Sequence, residues 1–389
     1  MQRGSCSPIL STMKAFVLVS ALFGMSGNDR QVAHSAEPPA SENALRPPLG
    51  VPNSIDVTGV VEEAHLPTTQ PKVLWTVSSL HDNGRGLPLS DPAVADGYLY
   101  FGDLHGRMKA LRTADQKIMW THLHDMPIKA TPSVDNEFVF FGSRRGVTAI
   151  RRDNGEQVWN HPLLDGAIEC TPLVIEDRVF VSASDGYAYC LNRKDGEIIW
   201  KSEFLSDGLS AKEIDGPEAD AALLPDTKAR PIGSASNGSI FLQSVFDQAR
   251  VIAFDCETGE RRWTFQTEGW IGPAPTIYDD RVYFASEDCK LYCLELVTGK
   301  LVWKYDSEAH IGRSRVAVHR EKVYLPALGP KIVELDAEKG NVLRTFEPHD
   351  PADRMNDIYS FPLIANDAIY FASVYGLLFA FDLQSGEML

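Results

Sequence analysis

One seven-residue formula returns along the whole chain: ADQKIMW at 114 to 120, DNGEQVW at 153 to 159, KDGEIIW at 194 to 200, ETGERRW at 257 to 263 and VTGKLVW at 297 to 303. Self-similarity at a period of about forty residues restricts the fold to propellers or solenoids, because a unit that small cannot bury its own faces. Each unit also opens behind a proline (SDPAV at 90, ATPSV at 130, CTPLV at 170, PAPTI at 273, SFPLI at 360). Strands such as FVFFG and RVYFAS and then VTAIR and LYCLE follow, before the glycine turn and the tryptophan strand. Aromatic and β-branched residues alternating with small ones suit a pleated, packed surface, and Asn-Gly, Asp-Gly and Thr-Gly supply the positive φ of a tight reversal.

Four short antiparallel strands per unit make a propeller blade, so the fold class is all-β. Seven units begin near Ser90, Thr131, Thr171, Pro231, Ala274, Arg315 and Phe361. The last reaches its turn, QSGEML, without a tryptophan strand, whereas KVLWTV at 72 to 77 is a tryptophan strand with nothing before it. Joining the two predicts a seven-bladed β-propeller of four-stranded antiparallel blades, its ring closed by an N-terminal strand that completes the last blade and removes the open edges. The tryptophans, Trp75, Trp120, Trp159, Trp200, Trp263 and Trp303, are expected to wedge against the neighbouring blade, with Phe346 in that role in unit six.

In front of the repeats, MKAFVLVSALFGM from Met13 has the length of a secretory h-region and is too short to span a bilayer. The expected organisation is a signal peptide over 1–36, a flexible Pro-rich segment over 37–71, and the propeller over 72–389 with an inserted loop at 202–230. No cysteine follows the h-region where a lipoprotein signal needs one, so the expected location is periplasmic or secreted, with no transmembrane segment after processing. A net charge of −16 at pH 7 argues against a nucleic-acid partner. Cys170, Cys190, Cys256, Cys289 and Cys293 form no C-x-x-C pair and read as buried free thiols.

A glycine turn, an apolar pair and tryptophan behind strands such as AYCLNRKDGEIIW resemble the pyrroloquinoline quinone (PQQ)-like propeller repeat, over about 72 to 389. That superfamily includes quinone-dependent alcohol and sugar dehydrogenases. It also includes propellers that bind no quinone, such as the scaffold subunit of the outer-membrane β-barrel assembly machinery. The dehydrogenases carry adjacent cysteines over the cofactor and a tryptophan on the quinone face; here no cysteines are neighbours, and every tryptophan except Trp270 belongs to an outer strand. The resemblance therefore implies an exported binding or scaffold module without catalysis and with no cofactor. The alternative is a PQQ- and calcium-dependent oxidoreductase.

In a propeller the turns between second and third strands share one face with the connections between blades, and the glycine turns lie on the other. The first face varies in sequence and is the candidate binding face. Just before each opening strand one residue should look into the channel mouth, and Lys129, Glu169, Arg230, Arg313 and Tyr359 are the candidates there, able to hold a carboxylate or other anionic group by charge-assisted hydrogen bonds. Asp103, Arg107, Arg144, Asp185 and Asp247 join them from the second-to-third turns. The expected partner is an envelope protein or anionic ligand at the face carrying 202–230, bound by a monomer. His122 and His124, with His81 and His310, fall on the same face, but no spacing rule marks a metal site.

Overall fold

A computed structural model describes residues 60–61, 92–162, 167–168, 170–203, 229–230, 235–236, 239–244, 249–271, 275–307, 311, 315–327, 331–348, 361–365, 367–372 and 378–389, with side chains left out over 229–244. These residues form seven separate sheets and no helix. Blade one, for example, runs Ala93–Ala95, Tyr98–Gly102, Arg107–Arg112 and Lys117–Leu123, each strand antiparallel to the one before. Short first strands of neighbouring blades touch one another: Ala93–Ala95 meets Ser133–Val134, and Ala317–His319 meets both Thr276–Tyr278 and Leu363–Ala365. The first strands therefore lie innermost and the tryptophan strands outermost. Buried hydroxyls tie the inner strands together, Ser133 Oγ donating to the Pro172 carbonyl and Thr276 Oγ1 to the Val316 carbonyl at 2.7 Å.

The recurring formula joins one blade to the next. Trp120, Trp159, Trp200, Trp263 and Trp303 are buried, and each indole N–H donates across to the following blade, to the carbonyls of Arg152, Arg193, Cys256, Leu296 and Ala337 at 2.9–3.0 Å. Each accepting carbonyl lies three residues before that blade's turn glycine. Gly155, Gly196, Gly259, Gly299 and Gly340 have φ between +68° and +75°, and a Cβ built on any of them would stand 2.5–2.7 Å from the docked indole. Glycine is thus required twice at one position, for its backbone and for the space it leaves. Within its own sheet each tryptophan faces a small residue: Ala110, Ala149, Cys190, Ala253 or Cys293. A bulge immediately before it displaces the apolar pair outward. Ile118 and Met119, Ile198 and Ile199, and Leu301 and Val302 are exposed for that reason.

Four sequence expectations change. In blade six the residue paired with Glu334, where the other blades set a small residue opposite tryptophan, is Arg344; Phe346 lies two residues further on, beside Ile332. The side chain that matches tryptophan in register is therefore a guanidinium, while Phe346 still packs across the junction, its ring 5.5 Å from that of Phe381. Val60–Val61, inside the segment read as a tether, is a strand pairing parallel with the inner edge of Leu363–Ala365, since two β-branched residues favour extended backbone. The chain's head and tail thus share a sheet through that inner edge. At the outer edge Met388 bridges Phe381, and Leu389 N–H donates to the Ala380 carbonyl; residues 72–77 and Trp75 lie outside the described residues. The inserted loop is shorter than 202–230, because Ser202 and Glu203 belong to Ile198–Glu203 and Ala229–Arg230 pairs with Gln243 and Ser244. Blade four's first strand is split, with Ala229–Arg230 and Ala235–Ser236 both on the same neighbour.

All five cysteines from Cys170 onward are free, and only Cys289 is not buried. Cys190 and Cys293 fill the small site beneath an indole, and burial pushes each thiol up to about 12. A thiol reagent at neutral pH should label Cys289 first, with the other four reacting only on denaturation; mass-spectrometric mapping of the labelled peptides checks this.

Candidate functional site

The two faces of the ring are built differently. On the glycine-turn face, indoles bonded to backbone carbonyls and arginines tie blade to blade. Arg152 reaches from blade two to Asp96 at 2.6 Å and the Tyr100 hydroxyl at 3.0 Å, Arg193 from blade three to Asp135 at 2.5 Å and Glu137 at 3.1 Å, and Arg320 from blade six to Asp367 at 2.5 Å. That face is occupied by locks within the fold.

The opposite face carries the connections between blades. An isoleucine that precedes each opening strand anchors them. Ile128, Ile168, Ile271 and Ile311 are buried, and the first two pack where Gly102 and Gly142 leave no room for a Cβ. Ile128 N–H donates to the Asp103 carbonyl at 3.1 Å and Ile168 N–H to the Ser143 carbonyl at 2.9 Å. Lys129, the residue after Ile128, is exposed. Glu169, Arg313, Tyr359 and Asp247 lie outside the described residues, and Arg230 is described as a backbone strand only.

Of the turn residues, Asp103 and Arg107 are committed to each other. Asp103 is fully buried; Oδ1 accepts the N–H groups of His105 and Arg107 at 2.9 and 3.0 Å, and Oδ2 accepts Arg107 Nε at 2.9 Å with Lys109 Nζ at 3.5 Å. Burial pushes this carboxyl up, but the two backbone N–H bonds and the charges of Arg107 and Lys109 outweigh it and hold the group below its usual range. Asp185 shapes its own turn, accepting Tyr187 N–H at 3.0 Å and the Tyr189 hydroxyl, while Lys201 stands over both rings at 3.8 and 5.1 Å. Asp288, which the sequence reading passed over, repeats that arrangement with Lys290 N–H and the Tyr292 hydroxyl at 2.6 Å; the shared signal is an aspartate two residues before the third strand's start. Arg144 is exposed on this face, as are Leu123 and Trp270, the latter at 48%.

His122 and His124 flank the ring of Phe141 at 6.0 and 5.4 Å. His124 Nε2 lies 2.9 Å from Ser143 Oγ and His122 Nδ1 3.1 Å from the Gly155 carbonyl, and burial pushes both imidazoles below the usual range. Among the described residues no three histidine, cysteine, aspartate or glutamate side chains gather as a metal site. His81 and His310 lie outside them. No helix among the described residues is long and apolar enough to cross a membrane.

Four-stranded sheets set around a common centre and joined by indole-on-glycine docking define a PQQ-like β-propeller. The family model described as "Outer membrane protein assembly factor BamB" matches residues 66–163, 143–228 and 219–389, and the chain belongs to that family. An outer membrane protein assembly factor BamB of Nitrosomonas eutropha is 25% identical over 54% of this chain and 50% of its own length. A tetrathionate hydrolase of Acidithiobacillus ferrooxidans is 26% identical over 38% of this chain and 30% of its own. The matched regions thus span half or less of these relatives. In fold the chain resembles the BamB structure from Moraxella catarrhalis, with a TM-score of 0.60 at 16% identity over 82% of this chain and 90% of that one. It also resembles a europium-containing methanol dehydrogenase, with a TM-score of 0.65 at 14% identity over 88% and 85%.

Proposed function

We propose that the chain is a cell-envelope scaffold whose loop face binds a protein partner engaged in outer-membrane assembly, without catalysis. The observation that carries this reading is the asymmetry of the faces. One is taken up by glycine turns, docked indoles and inter-blade arginine pairs, while the other exposes Lys129, Arg144, Leu123 and Trp270. Exposed tryptophan and arginine are the residue types on which protein interfaces concentrate binding energy. The family relationship supplies the kind of partner. Glu169, Arg230, Arg313, Tyr359 and Asp247 belong to the same proposed surface, which 202–230 borders. No cofactor is assigned to it. The envelope location rests on the h-region and on the family.

Photocrosslinking in intact cells tests the proposal. A photoreactive residue at Arg144 should capture an outer-membrane assembly protein, whereas one at Asp195, on the glycine-turn face, should not. Capture from Asp195 alone would overturn the assignment of faces. Dye reduction by the purified chain with pyrroloquinoline quinone, calcium and an alcohol or sugar would overturn the non-catalytic reading.

A further inference from the structure

Five blade junctions share one lock: an indole, a glycine that admits it, and a small residue beneath it. Among the described residues neither side of blade seven carries such a lock, and the departures are on different partners. Toward blade six the glycine is present, Gly386 at φ +79°, but the side chain that reaches it is Arg344, with Nη1 3.0 Å from where a Cβ would stand. The guanidinium copies the indole's hydrogen bond. Its Nη2 donates to the Leu383 carbonyl, three residues before the glycine as at the other junctions, and Nη1 lies 3.4 Å from the Gln384 carbonyl. Arg344 is held from below by Glu334, 2.7 Å from its Nε, which also takes Lys322 Nζ at 2.8 Å, and it lies over the Phe346 ring at 4.6 Å. Glu334 is 1% exposed, whereas the Arg344 side chain keeps 26% of its surface open to water. The junction thus exchanges buried indole area for charged hydrogen bonds that solvent can reach.

On the blade-one side the substitution is reciprocal. The turn position that is glycine in blades two to seven is Gln116, at φ +57° and exposed. Gln116 carries the Cβ that the five docking glycines lack, an atom that at each of them would stand 2.5–2.7 Å from the indole. Blade seven itself is well packed, with Phe371 stacked on Phe381 at 5.8 Å and beside Phe379 at 5.6 Å.

We propose that blade seven is a separable leaf of the propeller, fastened to blade six by the Arg344–Glu334 latch and lacking an indole-on-glycine lock at Gln116, so that it opens as a unit while blades two to five stay closed. Opening parts Phe346 from Phe381, whose rings meet edge to face at 5.5 Å. Local units of differing stability within one fold are what such unequal junctions produce.

Native-state hydrogen exchange of the full chain, read by mass spectrometry, tests this. Peptides from Leu363–Ala365 and Ala368–Ala372 should exchange at least about tenfold faster than those from Arg178–Ser182 and Tyr187–Asn192 in blade three. Arg344→Lys keeps the charge and loses the fork, and should speed blade seven alone by about a further tenfold, the scale of a charged hydrogen bond. The paired change Glu334→Ala with Arg344→Trp rebuilds the common lock and should slow it. Equal protection of blades three and seven in the native chain would overturn the proposal, as would an Arg344→Lys effect spread evenly over all blades; should the paired variant not fold, these two comparisons still decide.

Discussion

Gly196→Ala should destabilise the propeller by about 2–5 kcal/mol, read as a fall in the denaturation midpoint with an unchanged slope. Two effects add. An L-residue held at φ +74° costs about 1–2 kcal/mol. The new methyl would also stand 2.6–2.7 Å from the Trp159 ring, and overpacking of that kind costs about 1–3 kcal/mol. Trp159→Ala removes the other half of the same contact and should cost about 3–5 kcal/mol, since the indole is buried between blades and its N–H bond to the Arg193 carbonyl is lost with it.

Asp103→Ala is the second large effect, expected at about 3–5 kcal/mol, because it strands the mostly buried Arg107 and Lys109 without their carboxylate. Asp103→Asn should cost less, since its side-chain oxygen can still accept the His105 and Arg107 backbone N–H groups. The pH dependence separates charge from shape. The Asp103 carboxyl titrates lower in the folded chain than in the unfolded one, so its contribution is present above the ordinary carboxylate range and is lost as pH falls through the folded value. Below about pH 4 the native chain should lose stability more steeply than Asp103→Asn, and denaturation midpoints measured between neutral pH and pH 3 check it. His122 and His124 act higher on the scale. His124 is buried and His122 half-buried, and both are hard to protonate when folded, so their cost on acidification begins near the ordinary imidazole range, in the native chain and the variant alike.

The fold was legible because the constraint is repeated. Proline-opened strands, aromatic alternation and the glycine-to-tryptophan spacing each recur, and an error at one unit is corrected by its neighbours. The wedging of the tryptophans against the neighbouring blade was legible too, but the reason for the glycine was only half visible: turn chemistry explains its φ, whereas the indole above it comes from the preceding blade. Arg344 was misread for a related cause. Choosing the nearest aromatic, Phe346, keeps the correct side of the strand but lands two residues past the register position opposite Glu334. Val60–Val61 carries no turn or tryptophan to mark it, so a two-residue strand added at the inner edge had no sequence signature.

The candidate site was less legible than the scaffold, and the reason is physical. Its residues sit on connections that need only clear the channel and return, and nothing periodic constrains them. A periodic anchor does exist at Ile128, Ile168, Ile271 and Ile311, but it fixes the buried side of a connection and not the exposed one. Asp103 and Asp185 show the opposite problem. A carboxylate in the turn just before a strand resembles a ligand in sequence, yet its oxygens are taken by that turn's own N–H groups, by Arg107 in one case and Tyr189 in the other.

That each blade is fixed to the next by an indole lying on the following turn's glycine is the claim beneath the rest, and a double-mutant cycle on Trp159 and Gly196 measures it directly. With the indole already removed, the Gly196→Ala methyl meets open space, so its cost should shrink to the backbone share of about 1–2 kcal/mol. Full additivity of the two substitutions would contradict the account, because it would mean that ring and glycine do not press on one another.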